Sequence, residues 1–452
     1  MKSNKDLKPL AFVCGLSLYF GWGIQETFWT PFLPSEFARL GISQTSIGVV
    51  SCATDATSVI TCVVLMLIKL PKNYRPAIFS IGALLQGVSC LPFGEVIELN
   101  PGFLFKTSCL FLKGLLGCGI AFVWCSGSVL LISMYPDHVG RVCGSIAMSL
   151  SLGMICGSPF GSLLFTLGGF KLPYLVAGAL QIVLGPLAYI VITQSLCSDE
   201  ETKTSSHKSL QAVEITDKYE KVTDPLLPQN SKTLKKSSIS WYYAIKEHYY
   251  VIFISAVASV TSSSIGFFFV AFAPHLLIDF GVGNNLSGPL FLPFTVIRAL
   301  TAPVFGFFTD KGYGGLIFCL FGCGFSLTGF AILGISDCIP MLDKLTSFEA
   351  IVGFIAMSST GTLVPLVFLL RSLYRKNSSI ENDETIALYA SAVYLACFDF
   401  GKIIGQSITG GYILDLLGFY NSCRIQVVLS SLSLFLALSC ILRNDLLIAR
   451  NV

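Results

Sequence analysis

Apolar residues fall along this chain in long blocks separated by short polar breaks. Twelve blocks reach the roughly 20 residues that a helix needs to cross a hydrocarbon layer: residues 10–33, 45–68, 76–97, 107–134, 142–167, 172–193, 249–272, 286–308, 314–335, 346–370, 385–414 and 424–442. A backbone in lipid must satisfy its own hydrogen bonds, so the pattern predicts an all-α membrane protein. The one long polar interval, residues 195–246, is rich in Ser, Thr, Lys, Glu and Asp and divides the blocks six and six. It reads as a disordered linker between an N-terminal half, residues 1–194, and a C-terminal half, residues 247–452.

Composition agrees: 53% of residues are hydrophobic and 12% charged, against about 25% charge in an ordinary soluble domain. Lys and Arg cluster on one side of the implied topology. With both termini cytoplasmic, that side receives Lys2, Lys5, Lys8, Lys69, Lys72, Arg75, Arg141, the lysines of the linker and Arg443, while the other keeps Arg39, Lys106, Lys171, Lys344 and Arg424. This asymmetry makes the linker cytoplasmic. The net charge of +3 is thus mostly a sorting signal, and no nucleic-acid partner is inferred. The 16 cysteines lie almost all inside apolar blocks without a C-x-x-C pair, and the four histidines are scattered, so no metal and no cofactor is assigned.

Ionisable residues inside the blocks are expensive and therefore candidates for function. They are Glu26, Asp55, Lys113, Arg298, Asp399 and Lys402. Asp399 and Lys402 stand three residues apart, close enough to pair along one helix face. Glu26 has no base within a turn of its own sequence and is a candidate to bind a cationic substrate or a coupling proton. The bland alternative is that these charges pair into neutral bridges that only lock helices.

Small residues mark the fifth block, where Gly153, Gly157, Pro159 and Gly161 stand in one apolar run. The eleventh block echoes them with Gly401 and Gly405, followed by Gly410 and Gly411, although Gln406 stands where a proline would complete the repeat. The fifth-block motif resembles the antiporter signature of the major facilitator superfamily, in which small residues let helices approach closely and the proline bends the helix at the gate. Two further motifs carry the likeness. Lys113 and Gly117 sit where proton-coupled antiporters of that superfamily usually have Arg and Gly, and Gly306, Asp310, Lys311 and Gly312 resemble its cytoplasmic loop motif, an inward-side latch. The corresponding loop in the first half, from Lys69 through Pro71 to Arg75, has lost the Gly and the acid. Within the superfamily, Thr30-Pro31 to Pro34, Leu40-Gly41 to Gly48 and Gly168 to Pro173 are similar to the vesicular amine and polyamine transporters.

The resemblance implies the major facilitator fold, twelve transmembrane helices in two six-helix halves related as parallel repeats, with the substrate between them. It implies proton-coupled antiport of a small organic cation, an amine or polyamine, by alternating access, and no enzyme activity. The acid that recognises monoamines in the vesicular carriers is replaced here by Trp22, with Glu26 one turn further on and facing the same way. Thr54 and Thr360 stand where those carriers have a lysine and an acid. A drug or organic-anion antiporter is the alternative if Arg298 and Lys402 face the cavity unpaired, and a non-transporting membrane sensor is another. Besides substrate and protons the expected partners are membrane lipids and trafficking adaptors. The latter rest on the sorting-type patterns Tyr219 to Val222 and Leu226-Leu227, which suit a vesicular or endosomal address without excluding the plasma membrane.

Overall fold

The computed structural model describes residues 4–68, 71–217, 249–280, 292–310, 315–335 and 383–450, and every regular element among them is helical. In the N-terminal half these are α1 (Asn4–Thr27), α2 (Gln44–Ile68), α3 (Arg75–Phe93), α4 (Phe103–Met134), α5 (Val139–Gly168) and α6 (Lys171–Asp217), with a short helix, Leu33–Arg39, between α1 and α2. The C-terminal half contributes α7 (Tyr249–Phe280), α8 (Leu292–Asp310), α9 (Gly315–Ile335), α10 (Asp383–Ile403) and α11 (Phe419–Arg450). Among the described residues eight helices are long and apolar enough to cross a membrane, and three shorter apolar helices fall on the seventh, eighth and ninth blocks. The tenth block, residues 346–370, lies outside the described residues.

Two boundaries differ from the sequence reading. The interval expected to be disordered from residue 195 begins as helix, because α6 runs on to Asp217, well past its apolar stretch. Polar residues are not helix breakers, and residues 199–217 contain no Pro or Gly to stop the helix. The eleventh block is not uniform either. α10 passes into a π-helix, Ile404–Ile413, and ends with one α-turn, Leu414–Leu417. Pro159, by contrast, is accommodated within α5.

The fifth and eleventh blocks end alike. α5 ends at Gly169 (φ 65°) and the π-bearing helix ends at Gly418 (φ 79°), both in the left-handed region that favours glycine. Each caps the helix before it, Gly169 N–H donating to the Phe165 carbonyl and Gly418 N–H to that of Leu414. The two larger apolar clusters draw on both halves. One contains Tyr19, Leu131 and Ile192 with Ala302 and Leu388, and the other Phe32, Phe37 and Phe105 with Phe267 and Phe419.

Candidate functional site

The halves share a charged layer. Lys402 on α10 places its Nζ 2.7 Å from Glu26 Oε1 on α1 and 2.8 Å from Asp55 Oδ1 on α2. The lysine and Asp55 are buried and Glu26 is 14% exposed, so a C-terminal ammonium is held between two N-terminal carboxylates away from water. The local sequence makes this reach possible. Gly401 and Gly405 flank Lys402, and a Cβ at either would collide with the carbonyl of Ser259 or Ser263 on α7. Gly266 on α7 in turn rests against the Lys402 backbone. The α10 backbone thus lies directly on α7, leaving the Lys402 side chain to cross to the other half.

The sequence expectation that Asp399 would pair with Lys402 along one helix is corrected here. Asp399 is buried with its Oδ2 lacking a hydrogen-bond partner, and Lys402 has instead the two acids of the opposite half. Asp55 likewise leaves Oδ2 unpartnered.

Beside this layer, and sharing Glu26 and Lys402 with it, lies a cavity lined also by Trp22, Trp124, Met154, Arg298 and Tyr394 among others. Trp22 and Glu26 do face the same way. Trp22 and Trp124 meet edge to face at 5.9 Å, Trp124 stacks on Tyr394 at 5.7 Å, and Tyr394 stacks on Phe398 at 5.8 Å. Trp124 is fixed by donating its indole N–H to the Ser391 carbonyl across the halves at 3.1 Å. The cavity therefore offers an aromatic wall beside one carboxylate, Glu26, a combination that suits an organic cation.

Lys113 is set apart from that cavity. Its Nζ lies 4.5 Å from the Trp29 ring centroid and 5.2 Å from that of Phe93. It lines a second cavity with Gln25, Ser89 and Tyr174. Among the described residues Arg298, 1% exposed, has as its contact Met154 Sδ, 3.7 Å from Nη1, and its Nε has no partner there.

The glycines of the sequence motifs divide by location. Cβ atoms at Gly153, Gly157 and Gly161 would strike the α1 chain at Phe20, Ile24 with Thr27, and Phe28 in turn. Thr27 Oγ1 also donates to the Met154 carbonyl at 3.1 Å. The fifth-block motif thus seals α5 to α1 inside one half, as Gly401 and Gly405 seal α10 to α7 inside the other. Gly306, by contrast, lies against Gly140 and Gly144, joining α8 to α5 across the halves. Lys311 lies outside the described residues, as does the side chain of Asp310.

The sequence reading missed Gly140 and Gly144, whose four-residue spacing before the motif is itself a helix-packing signal. It also missed the contacts between α2 and the π-helix, where Gly48 meets the Gln406 carbonyl. Beside them Asp415 accepts from Thr45 N–H at 2.8 Å and from Thr45 Oγ1 at 2.5 Å.

Comparison with known proteins accords with this architecture. The family model of the Major Facilitator Superfamily matches residues 11–377. The chain is 21% identical to the MFS-type transporter SLC18B1 of Rattus norvegicus over 93% of its own length and 84% of that protein's. It is 26% identical to the chromaffin granule amine transporter of Rattus norvegicus over 74% of its own length and 54% of that protein's. Its fold is similar to that of a bacterial homolog of the human lysosomal transporter Spinster, with a TM-score of 0.63 at 13% identity, covering 96% of this chain and 97% of the other.

Proposed function

Because the chain belongs to the major facilitator superfamily, and is therefore a multi-pass membrane transporter rather than an enzyme, we propose that it exchanges protons for a small organic cation, an amine or polyamine. The observation that carries this reading is the Glu26–Lys402–Asp55 layer beside an aromatic cavity. Without cargo, the Lys402 ammonium satisfies both acids. A cargo ammonium entering against Trp22 and Trp124 competes with Lys402 for Glu26, and a proton taken up by the carboxylate cancels its attraction and releases the cargo. The ligand acts through its differential affinity for the two orientations, as alternating access requires.

The amine carriers among the relatives support an amine as cargo and a vesicular or endosomal membrane as the location. The residues proposed to bind cargo or proton are Glu26, Asp55, Asp399 and Lys402, with Arg298 and Lys113 in the walls of the two cavities. The sorting patterns at residues 219–227 lie outside the described residues. Trafficking adaptors remain part of the proposal on the sequence alone.

The test is uptake into proteoliposomes with an acidic interior, screened over putrescine, spermidine, aromatic amines and carboxylates. Amines are expected to accumulate until an ionophore collapses the gradient. Accumulation of carboxylates alone, or amine uptake indifferent to the collapse, would overturn the reading.

A further inference from the structure

Arg298 is a guanidinium buried in the wall of the cavity that contains Glu26, and among the described residues it makes no ion pair. Among the described residues its contact is a thioether sulfur at 3.7 Å, and Nε has no partner at all. A guanidinium keeps its charge in every protein setting, and an uncompensated buried charge costs several kcal/mol. The position therefore calls for an anion that arrives with the cargo. Its planar fork of donors matches the two oxygens of a carboxylate.

The acid and the guanidinium are separate features of one chamber, joined by the aromatic wall of Trp124 and Tyr394.

We propose that the amine cargo is zwitterionic: an amino acid whose ammonium meets Glu26, whose carboxylate meets Arg298, and whose body lies against Trp124 and Tyr394. This rests on the reading of the cavity as the transport site, and it narrows the substrate class from amines to amino acids.

The experiment measures binding to the purified full-length protein for two matched sets. Phenethylamine, phenylalanine and 3-phenylpropionate share one aromatic body, and putrescine and ornithine share one linear body. At least one amino acid is expected to bind about tenfold more tightly than its amine. Arg298→Gln should remove that advantage and leave amine affinity within about twofold. Glu26→Gln should weaken both amine and amino acid while sparing 3-phenylpropionate. If the Gln variant is not recovered, Arg298→Lys reads the same contrast, with the amino acid weakened relative to its amine.

Amines binding as tightly as their amino acids, or an Arg298 variant that weakens both equally, would overturn the zwitterion. Binding of amines that depends on Glu26 would at the same time leave the amine exchanger standing. If no ligand of either set binds and Glu26→Gln changes nothing, the proposed function falls together with the inference.

Discussion

Lys402 is buried between two acids of the opposite half, so removing it alone strands two like charges in a poorly hydrated place. Lys402→Met is expected to destabilise the protein by about 3–5 kcal/mol. The triple change Glu26→Gln, Asp55→Asn and Lys402→Met, which removes all three charges together, should recover most of that loss. Thermal unfolding of the purified variants checks it, and equal melting temperatures for the single and triple variants would show that the bridge is energetically idle. Glu26→Gln is expected to reach its membrane yet lose uptake driven by a pH gradient; unchanged uptake would move the cargo site away from Glu26.

The sequence alone was enough to pick out these residues, because a charge inside an apolar block stands out against its surroundings. What it could not show was their partners. Lys402 and Glu26 are 376 positions apart, whereas a reading of helix spacing looks one turn ahead and found only Asp399. With two carboxylates across the interface and one on its own helix, the ammonium pairs with the two.

At the scale of the element, close approach is set by glycines facing backbone. Gly153 meets the Phe20 carbonyl and Gly401 that of Ser259, so Gly153→Ala and Gly401→Ala should each force helices apart and lower both stability and transport. Gly324 on α9 has nothing within 4 Å of an added Cβ. Gly324→Ala should therefore be neutral or stabilising, by at most about 1 kcal/mol from helix propensity. Comparable losses at all three positions would show that close packing does not distinguish them. The repeat of the motif was readable in the sequence, but the π-helix was not recognised, although a signal existed. Gly153, Gly157 and Gly161 are spaced by four, whereas Gly401, Gly405 and Gly410 are spaced by four and then five. The extra residue is absorbed by the wider turn, so that an added Cβ on Gly410 would face the Gly405 carbonyl.

For the molecule as a whole, the twelve-block pattern anticipated the helices because lipid imposes one requirement on every span. The joints between the halves were less visible, since small and polar residues at an interface look in sequence like those inside a half. In the cytoplasmic-termini topology these joints lie at opposite faces of the membrane, Gly306 with Gly140 and Gly144 at one and Thr45 with Asp415 at the other. Cysteines introduced at Thr45 and Asp415 in a cysteine-free background should cross-link on oxidation, stop transport, and release it on reduction. Full transport by the cross-linked protein would mean that this joint need not open. A cysteine at residue 215 should be labelled from the cytoplasmic side; labelling from the opposite side alone would invert the topology.

The bridge from Lys402 to the two acids also bears on what the carrier does when idle. As long as the lysine bridges Glu26 and Asp55, a proton must compete with it for either one, and the halves cannot part there without separating opposite charges in a medium that hydrates them poorly. In the proposed exchange the empty carrier would then be held from turning over, its cycles confined to those in which cargo takes the place of the lysine. A vesicle containing this protein but no substrate would keep its stored acidity, with little slip through the unoccupied transporter.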